Sequence, residues 1–348
     1  MIRIGIVGTG NIVGISHFHT QGLLHDGRAE IAAVYDTRID GAKEWVSQHG
    51  LSAEVCQSYE ALLERVDAVD ICVPNAFHCE YALAAIRANK HFLVEKPMAV
   101  RIEDCRALAA AVKNTDKCNM VGFVYRFSNA VLEAKRIVAE QIGNVYTYSA
   151  WFGGKRLSDP TIPMEWRMLR DRSGSGALGD FGSHLVDLAD FVAGQRYNEV
   201  SCMTETVIPQ RQGRDGMAAV ENDDAAAFIA SGASGIGSYT VSRTGMDDVM
   251  LLVTGEGGML QVSLRAPERV TWWEKKPDGG YTGTIKDYEL APQKPFDGWF
   301  DGEMTAFLDT VLGRRTNAAD VAQGLYVEEV LHAAERASKT KRREEVGA

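Results

Sequence analysis

The chain is poor in the features that mark metal, nucleic-acid or membrane proteins. Its six cysteines are scattered without a C-x-x-C pair, and its eight histidines form no metal signature. His17-Phe18-His19 has the wrong spacing to put two ligands on one helix face, so no zinc-type site is visible and no metal is expected. Cys72 and Cys105 lie in apolar patterns and read as reduced core residues. Basic blocks are missing apart from the short tail Lys339 to Arg343, and the net charge is −10, which argues against a nucleic-acid partner. Apolar runs of membrane-spanning length are also missing, so no membrane partner is expected. The chain starts directly on a strand-like run, Met1 to Val7, without the regions of a secretory signal; a reducing cytoplasm is the expected location.

What is present is an ordinary globular composition, 45% hydrophobic and 24% charged, over 348 residues. That length predicts two domains. The patterns divide at about residue 121, into a dinucleotide-binding domain (1–121) and a substrate-binding and oligomerisation domain (122–348).

In the first part, Ile2 to Val7 reads as a buried strand. Gly8-Thr9-Gly10-Asn11-Ile12-Val13-Gly14 follows, then a helix-like segment to about Leu24. Such glycines let the backbone turn tightly and approach a pyrophosphate at a helix N-terminus. A second strand, Glu30 to Tyr35, ends in Asp36, placed to bind both ribose hydroxyls of an adenosine and to repel a 2′-phosphate. NAD is therefore the expected cofactor. Thr37 and Arg38 follow, and Arg38 could partly offset the repulsion, which leaves NADP possible.

The βα alternation continues through Ala68 to Val73, ended by Pro74-Asn75, and a helix from His78. His91 to Pro97 then fixes Lys96 at the C-terminal end of a buried strand. Pro97 lacks an N–H and pushes Lys96 toward an extended conformation. In open α/β sheets that edge is where ligands bind. Strands alternating with helices predict a doubly wound parallel sheet covered on both faces.

From about residue 122 the grammar changes. Short strand candidates follow one another: Val145 to Phe152, Val200 to Val207, Ala225 to Ala230, Gly235 to Ser242, Val249 to Thr254, Gly258 to Val262 and Val270 to Trp273. This half reads as α+β with a mainly antiparallel sheet, closed by helices at Asp301 to Leu312 and Val321 to Ala337. Its densest stretch, Ser173 to Leu188, is a glycine-rich loop opening a helix. Asp180 and His184 stand there at i, i+4, so their side chains can meet on one face.

Together these segments resemble the Gfo/Idh/MocA (glucose–fructose oxidoreductase, inositol dehydrogenase) family over most of the chain. The resemblance is densest at Gly8 to Gly14, Val73 to Pro97, Tyr125-Arg126-Phe127 and Trp166 through Asp187. Val13 and Ser175 depart from the usual glycines. The resemblance implies a Rossmann domain, a C-terminal domain with a large open sheet, bound NAD(P), and oxidation of a ring hydroxyl on a sugar or an inositol-like cyclitol. It also implies a homodimer or homotetramer formed through that sheet. Lys96, Asp180 and His184 would line the reacting carbon, with His184 as base, Lys96 on the hydroxyl oxygen and Asp180 orienting both. Cofactor contacts would come from the loop residues Gly8, Thr9, Gly10, Asn11 and Ile12, from Asp36, Thr37 and Arg38, from Val73, Pro74, Asn75 and His78, and from Glu95, Lys96, Trp166 and Arg167. Arg126, Trp151, Lys155, Arg156 and Tyr239 are candidate pocket residues. Two other readings compete: a non-catalytic cofactor sensor, and an NAD-dependent glycosidase or lyase that uses transient oxidation.

Overall fold

The computed structural model describes residues 1–10, 14–265, 268–288 and 297–348. Asn11, Ile12 and Val13, part of the expected phosphate loop, lie outside the described residues. The chain divides into two compact units, Met1–Phe127 with Gln293–Leu325, and Ser128–Pro292 with Tyr326–Ala348. This differs from the expected division at 121/122 in one important respect: the helix Asp297–Val311 belongs to the first unit. Helical periodicity reveals an apolar stripe but not the sheet it will cover. Here Met304, Phe307 and Leu308 pack into the core that contains Ile4, Ile6, Leu23 and Leu93. Each such side chain, once buried, contributes about 1.5–3 kcal/mol.

The first unit is built on a seven-stranded sheet. Its order is Ala319–Asp320, Asn119–Gly122, His91–Glu95, Ala68–Ile71, Ile2–Val7, Ala29–Tyr35, Glu54–Val55. All pairs are parallel except the short edge strand Ala319–Asp320. The strands read as continuous apolar runs because helices cover both faces. The order reverses between Ile2–Val7 and Ala68–Ile71, and the crevice beyond their carboxyl ends is the expected ligand position of a doubly wound fold.

The second unit carries a nine-stranded sheet, in the order Tyr281–Tyr288, Glu268–Lys275, Gly258–Ser263, Asp248–Gly255, Val145–Gly153, Gly235–Ser242, Ala225–Gly232, Glu199–Glu205, Glu344–Glu345. One pair, Val145–Gly153 with Gly235–Ser242, is parallel, and the rest are antiparallel. Burial alternates residue by residue, for example along Asp248–Gly255. One face packs on helices that include Gly182–Ala193, and the other is open, with Met203, Ile229 and Ile236 exposed on it or at its rim. The outer strands Tyr281–Tyr288 and Glu344–Glu345 and the hairpin Gln210–Gly213/Gly216–Ala219 were not among the expected elements. Their sequences lack a clear apolar alternation. Among the described residues no helix is long and apolar enough to cross a membrane.

Candidate active site

In the first unit the chain leaves Ile2–Val7 through Gly8, whose φ is +86°. A Cβ there would lie 2.8 Å from the Cys72 carbonyl oxygen, so glycine is needed for the two strand ends to approach. Gly10, at φ +58°, has no atom of the described residues within 4 Å of where a Cβ would stand. The turn is tied to Asp36. Its Oδ2 accepts hydrogen bonds from the Thr9 backbone N and Oγ1, both at 2.9 Å, and its Oδ1 accepts from the Arg38 backbone N at 2.8 Å. A carboxylate offers about four acceptor positions, so these bonds leave it able to receive a further donor. The Arg38 guanidinium donates to the Gly10 carbonyl and is 65% exposed. Thr37 beside it is exposed.

Cys72 and Val73 follow the strand Ala68–Ile71, and Pro74 then caps the short 3-10 turn Asn75–Phe77. His78, expected to contact cofactor, is buried instead. Its Nδ1 lies 2.8 Å from the Pro97 carbonyl and its Nε2 2.7 Å from the Val73 carbonyl. Burial pushes this imidazole below the ordinary histidine range, against the two carbonyls, which favour the charged ring. His78 thus braces the two loops that flank the crevice. Lys96 is partly exposed after the strand His91–Glu95, before a cis peptide to Pro97. Glu95 points inward, with Oε1 3.3 Å from His19 Nε2, a position that sequence patterning does not reveal. Arg126, a pocket candidate, is a buried residue of the first unit and donates to the Asn317 carbonyl at 3.1 Å, which ties two distant segments together.

In the second unit the loop before Asp180 is held by Asp223. The Asp223 carboxylate accepts from the backbone N of Gly176 at 2.8 Å and of Leu178 at 2.7 Å, while its carbonyl accepts from Ala177 at 2.9 Å. A Cβ on Gly176 would overlap that carbonyl oxygen. Burial pushes the Asp223 carboxyl above the usual carboxylate range, and the amide bonds oppose it. Asn222 and Arg243 extend the brace: Asn222 Nδ2 and Arg243 both donate to the Arg167 carbonyl, and Arg243 pairs with Asp224 at 3.1 Å. From this fixed loop run two short helical pieces, Ala177–Asp180 and Gly182–Ala193. They deliver a partly exposed Asp180 and, one turn on, a buried His184. The His184 ring lies against Phe152, which stacks on Phe181 at 4.1 Å.

Near Asp180, Arg156 forms a two-pronged pair with Glu165, at 2.6 and 2.7 Å. Burial works against the ionised Glu165, yet the Arg156 fork and the charges of Arg167 and Arg243 together hold the carboxyl below its ordinary range. Lys155 is exposed and pairs with Asp247 at 3.2 Å. Trp166 lies under the Arg167 guanidinium, at 4.5 Å.

Two pocket candidates lie elsewhere, Trp151 by strand parity and Tyr239 by its packing. Tyr148, Ala150 and Phe152 of Val145–Gly153 face the helices, so Trp151 points to the open face, opposite His184. Tyr239 does face inward, but it is core: it stacks on Phe228 at 4.5 Å and its hydroxyl meets that of Tyr197 at 2.5 Å.

Comparison with known proteins follows this geometry. The family described as "Oxidoreductase family, NAD-binding Rossmann fold" (Gfo/Idh/MocA) matches residues 2–123, and the family's C-terminal domain matches residues 131–261. Levoglucosan dehydrogenase of Pseudarthrobacter phenanthrenivorans is 34% identical over 228 residues, 64% of this chain and 56% of that protein. Glucose-6-phosphate 3-dehydrogenase of Bacillus subtilis is 30% identical over 190 residues, 54% of this chain and 53% of that protein. The chain spans about half the length of the curated relatives it matches. Among solved structures, an NAD binding oxidoreductase from Klebsiella pneumoniae superposes with a TM-score of 0.89 at 26% identity, covering 100% of this chain and 99% of that one.

Proposed function

The chain belongs to the Gfo/Idh/MocA oxidoreductase family, and on that premise we propose that it is an NAD-dependent dehydrogenase of a ring hydroxyl on a sugar or cyclitol. Relatives named as dehydrogenases of levoglucosan and of glucose 6-phosphate support the sugar class. The observation that carries the reading is the glycine loop from Ser173, braced by Asp223, which leads into two successive helical pieces, the first ending in Asp180 and the second carrying His184.

The residues of the first unit fit a dinucleotide. The open space at Gly10 admits a close backbone approach, and Asp36, already fixed by Thr9, suits ribose hydroxyls better than a 2′-phosphate. A bound nicotinamide would supply the hydride acceptor. The chain supplies the rest. Lys96 holds the hydroxyl oxygen and stabilises its developing negative charge. His184 takes the hydroxyl proton. Asp180 orients the imidazole from the preceding turn. Trp166 and Arg156 border the substrate. The open face of the nine-stranded sheet, with Met203 73% exposed and Ile229 57% exposed, joins copies of the chain into a homodimer or homotetramer.

The test is NADH formation at neutral pH over a panel of aldoses, anhydrosugars and cyclitols. Saturable turnover of one or more is expected. Lys96→Ala should lower kcat about a hundredfold or more, and His184→Ala similarly with partial recovery at high pH, both leaving NAD affinity little changed. Full activity in both variants would return these residues to structural roles and sink the mechanism.

A further inference from the structure

Within the first unit four elements converge on one buried point. His19 comes from the helix Ile15–Asp26, Asp70 from the strand Ala68–Ile71, Glu95 from the end of His91–Glu95, and Glu303 from Asp297–Val311. His19, Asp70 and Glu303 are wholly excluded from solvent, and Glu95 is 7% exposed. Three carboxylates around one imidazole are an expensive arrangement in a protein interior unless further charge or hydrogen bonds compensate them.

The two sides of the imidazole differ. Nδ1 lies 3.0 Å from both oxygens of Asp70, and Cys72 Sγ lies 3.5 Å from Asp70 Oδ1, so that side is closed by hydrogen bonds. Nε2 faces Glu95 Oε1 at 3.3 Å and Glu303 Oε2 at 3.6 Å. Neither Nε2 nor either oxygen of Glu303 has a hydrogen-bond partner among the described residues. A protonated Nε2 would meet both carboxylates only as ion pairs at 3.3 and 3.6 Å, without hydrogen-bond geometry, and the Glu303 oxygens would still lack a hydrogen bond among the described residues.

The separations fit another solution. Tetrahedral nitrogen and oxygen ligands of a zinc-type ion, with bonds of about 2.1 Å, stand roughly 3.4 Å apart. The observed 3.3 and 3.6 Å bracket that spacing. Asp70 on Nδ1 is also the partner that metal-bound imidazoles usually have, because it fixes the tautomer with the Nε2 lone pair turned to the ion. Gly122 contributes by what it lacks: a Cβ there would overlap Glu95 Oε1 and push the carboxylate away.

We propose that His19, Glu95 and Glu303 form a site for a divalent transition ion of the zinc type, with Asp70 bracing the imidazole from behind. An ion there would staple the helices Ile15–Asp26 and Asp297–Val311 to the end of the strand that carries Lys96. His19 and Glu95 stand 76 residues apart and Glu95 and Glu303 208 apart, which is why histidine spacing gives no sign of them.

The experiment is a cobalt(II) titration of the full chain after chelator treatment, read by visible absorption and by displacement with zinc chloride. About one equivalent should bind saturably, with the strong absorption of a site of low coordination number, and raise the melting temperature. Glu303→Gln and His19→Gln should weaken binding at least about a hundredfold, and Asp70→Asn about 10–100-fold. Gly122→Ala removes no ligand and keeps the assay informative if a ligand variant fails to fold; it too should weaken binding. A wild-type chain with no saturable cobalt absorption would overturn the proposal, as would a folded Glu303→Gln or Gly122→Ala that binds cobalt like the wild type.

Discussion

The two glycine-rich loops of the molecule have similar composition and opposite uses. At Gly10 no described residue fills the space beside the backbone, and the turn is held from one side by Asp36. At Gly176 that space is filled by the Asp223 carbonyl, and the amides of Gly176 and Leu178 are spent on the Asp223 carboxylate. Glycine thus serves approach by a ligand in one loop and packing in the other. A glycine count cannot tell the two apart; the difference lies in what the backbone amides already bind.

This contrast can be broken by substitution. Gly176→Ala drives a methyl group into a backbone oxygen that cannot move without breaking the Asp223 brace. It should destabilise the second unit by about 3 kcal/mol or more, seen as a large fall in melting temperature together with lost turnover. Asp223→Asn keeps one acceptor but turns an amide group toward an N–H. A loss of about 2 kcal/mol is expected in denaturant unfolding, with kcat falling more than NAD affinity. Gly10→Ala meets no atom of the described residues and strains the left-handed backbone. Its stability cost should be about 1 kcal/mol, while NAD binding measured by calorimetry weakens by about tenfold or more. Should Gly10→Ala and Gly176→Ala have the same balance of stability and binding effects, the distinction between the loops would fail. Asp36→Ser should narrow the kcat/KM preference for NAD over NADP, with Arg38 at hand for the 2′-phosphate. The smallest effect concerns the Arg156–Glu165 clamp. Because Glu165 is held below its ordinary value of 4.5 in the folded chain, its contribution is present above that value and fades as pH falls through the lower folded value. Comparing acid unfolding of Glu165→Gln with the wild type should reveal at most about 1 kcal/mol, given the exposure of Arg156.

Features set by local order were legible in the sequence. Asp36 is tied to Thr9 because a strand of fixed length separates it from the glycine turn, while the i, i+4 pair Asp180 and His184 is split at Phe181 between two successive helical pieces. Features set by parity or by distant packing were not. A one-residue choice sends Trp151 to the open face, and Tyr239 faces inward only to be used up by Tyr197 and Phe228. Arg126 reads as a polar pocket residue, whereas the structure buries it and has its Nη1 donate to the carbonyl of Asn317, far along the chain. Glu303 carries no mark at all in its own helix; its setting comes from His19 and Glu95.

The division of the first unit into two stretches of chain has a consequence for biosynthesis. Gly22 is pressed against Phe300 and Met304, and the core around Leu23 needs Phe307 and Leu308. The amino-terminal sheet therefore leaves the ribosome with one flank bare, and stays so while the first stretch of the second unit, Ser128–Pro292, is being made. Over that interval its apolar flank is open to chaperones or to neighbouring nascent chains, and only the arrival of residues 297–311 seals it.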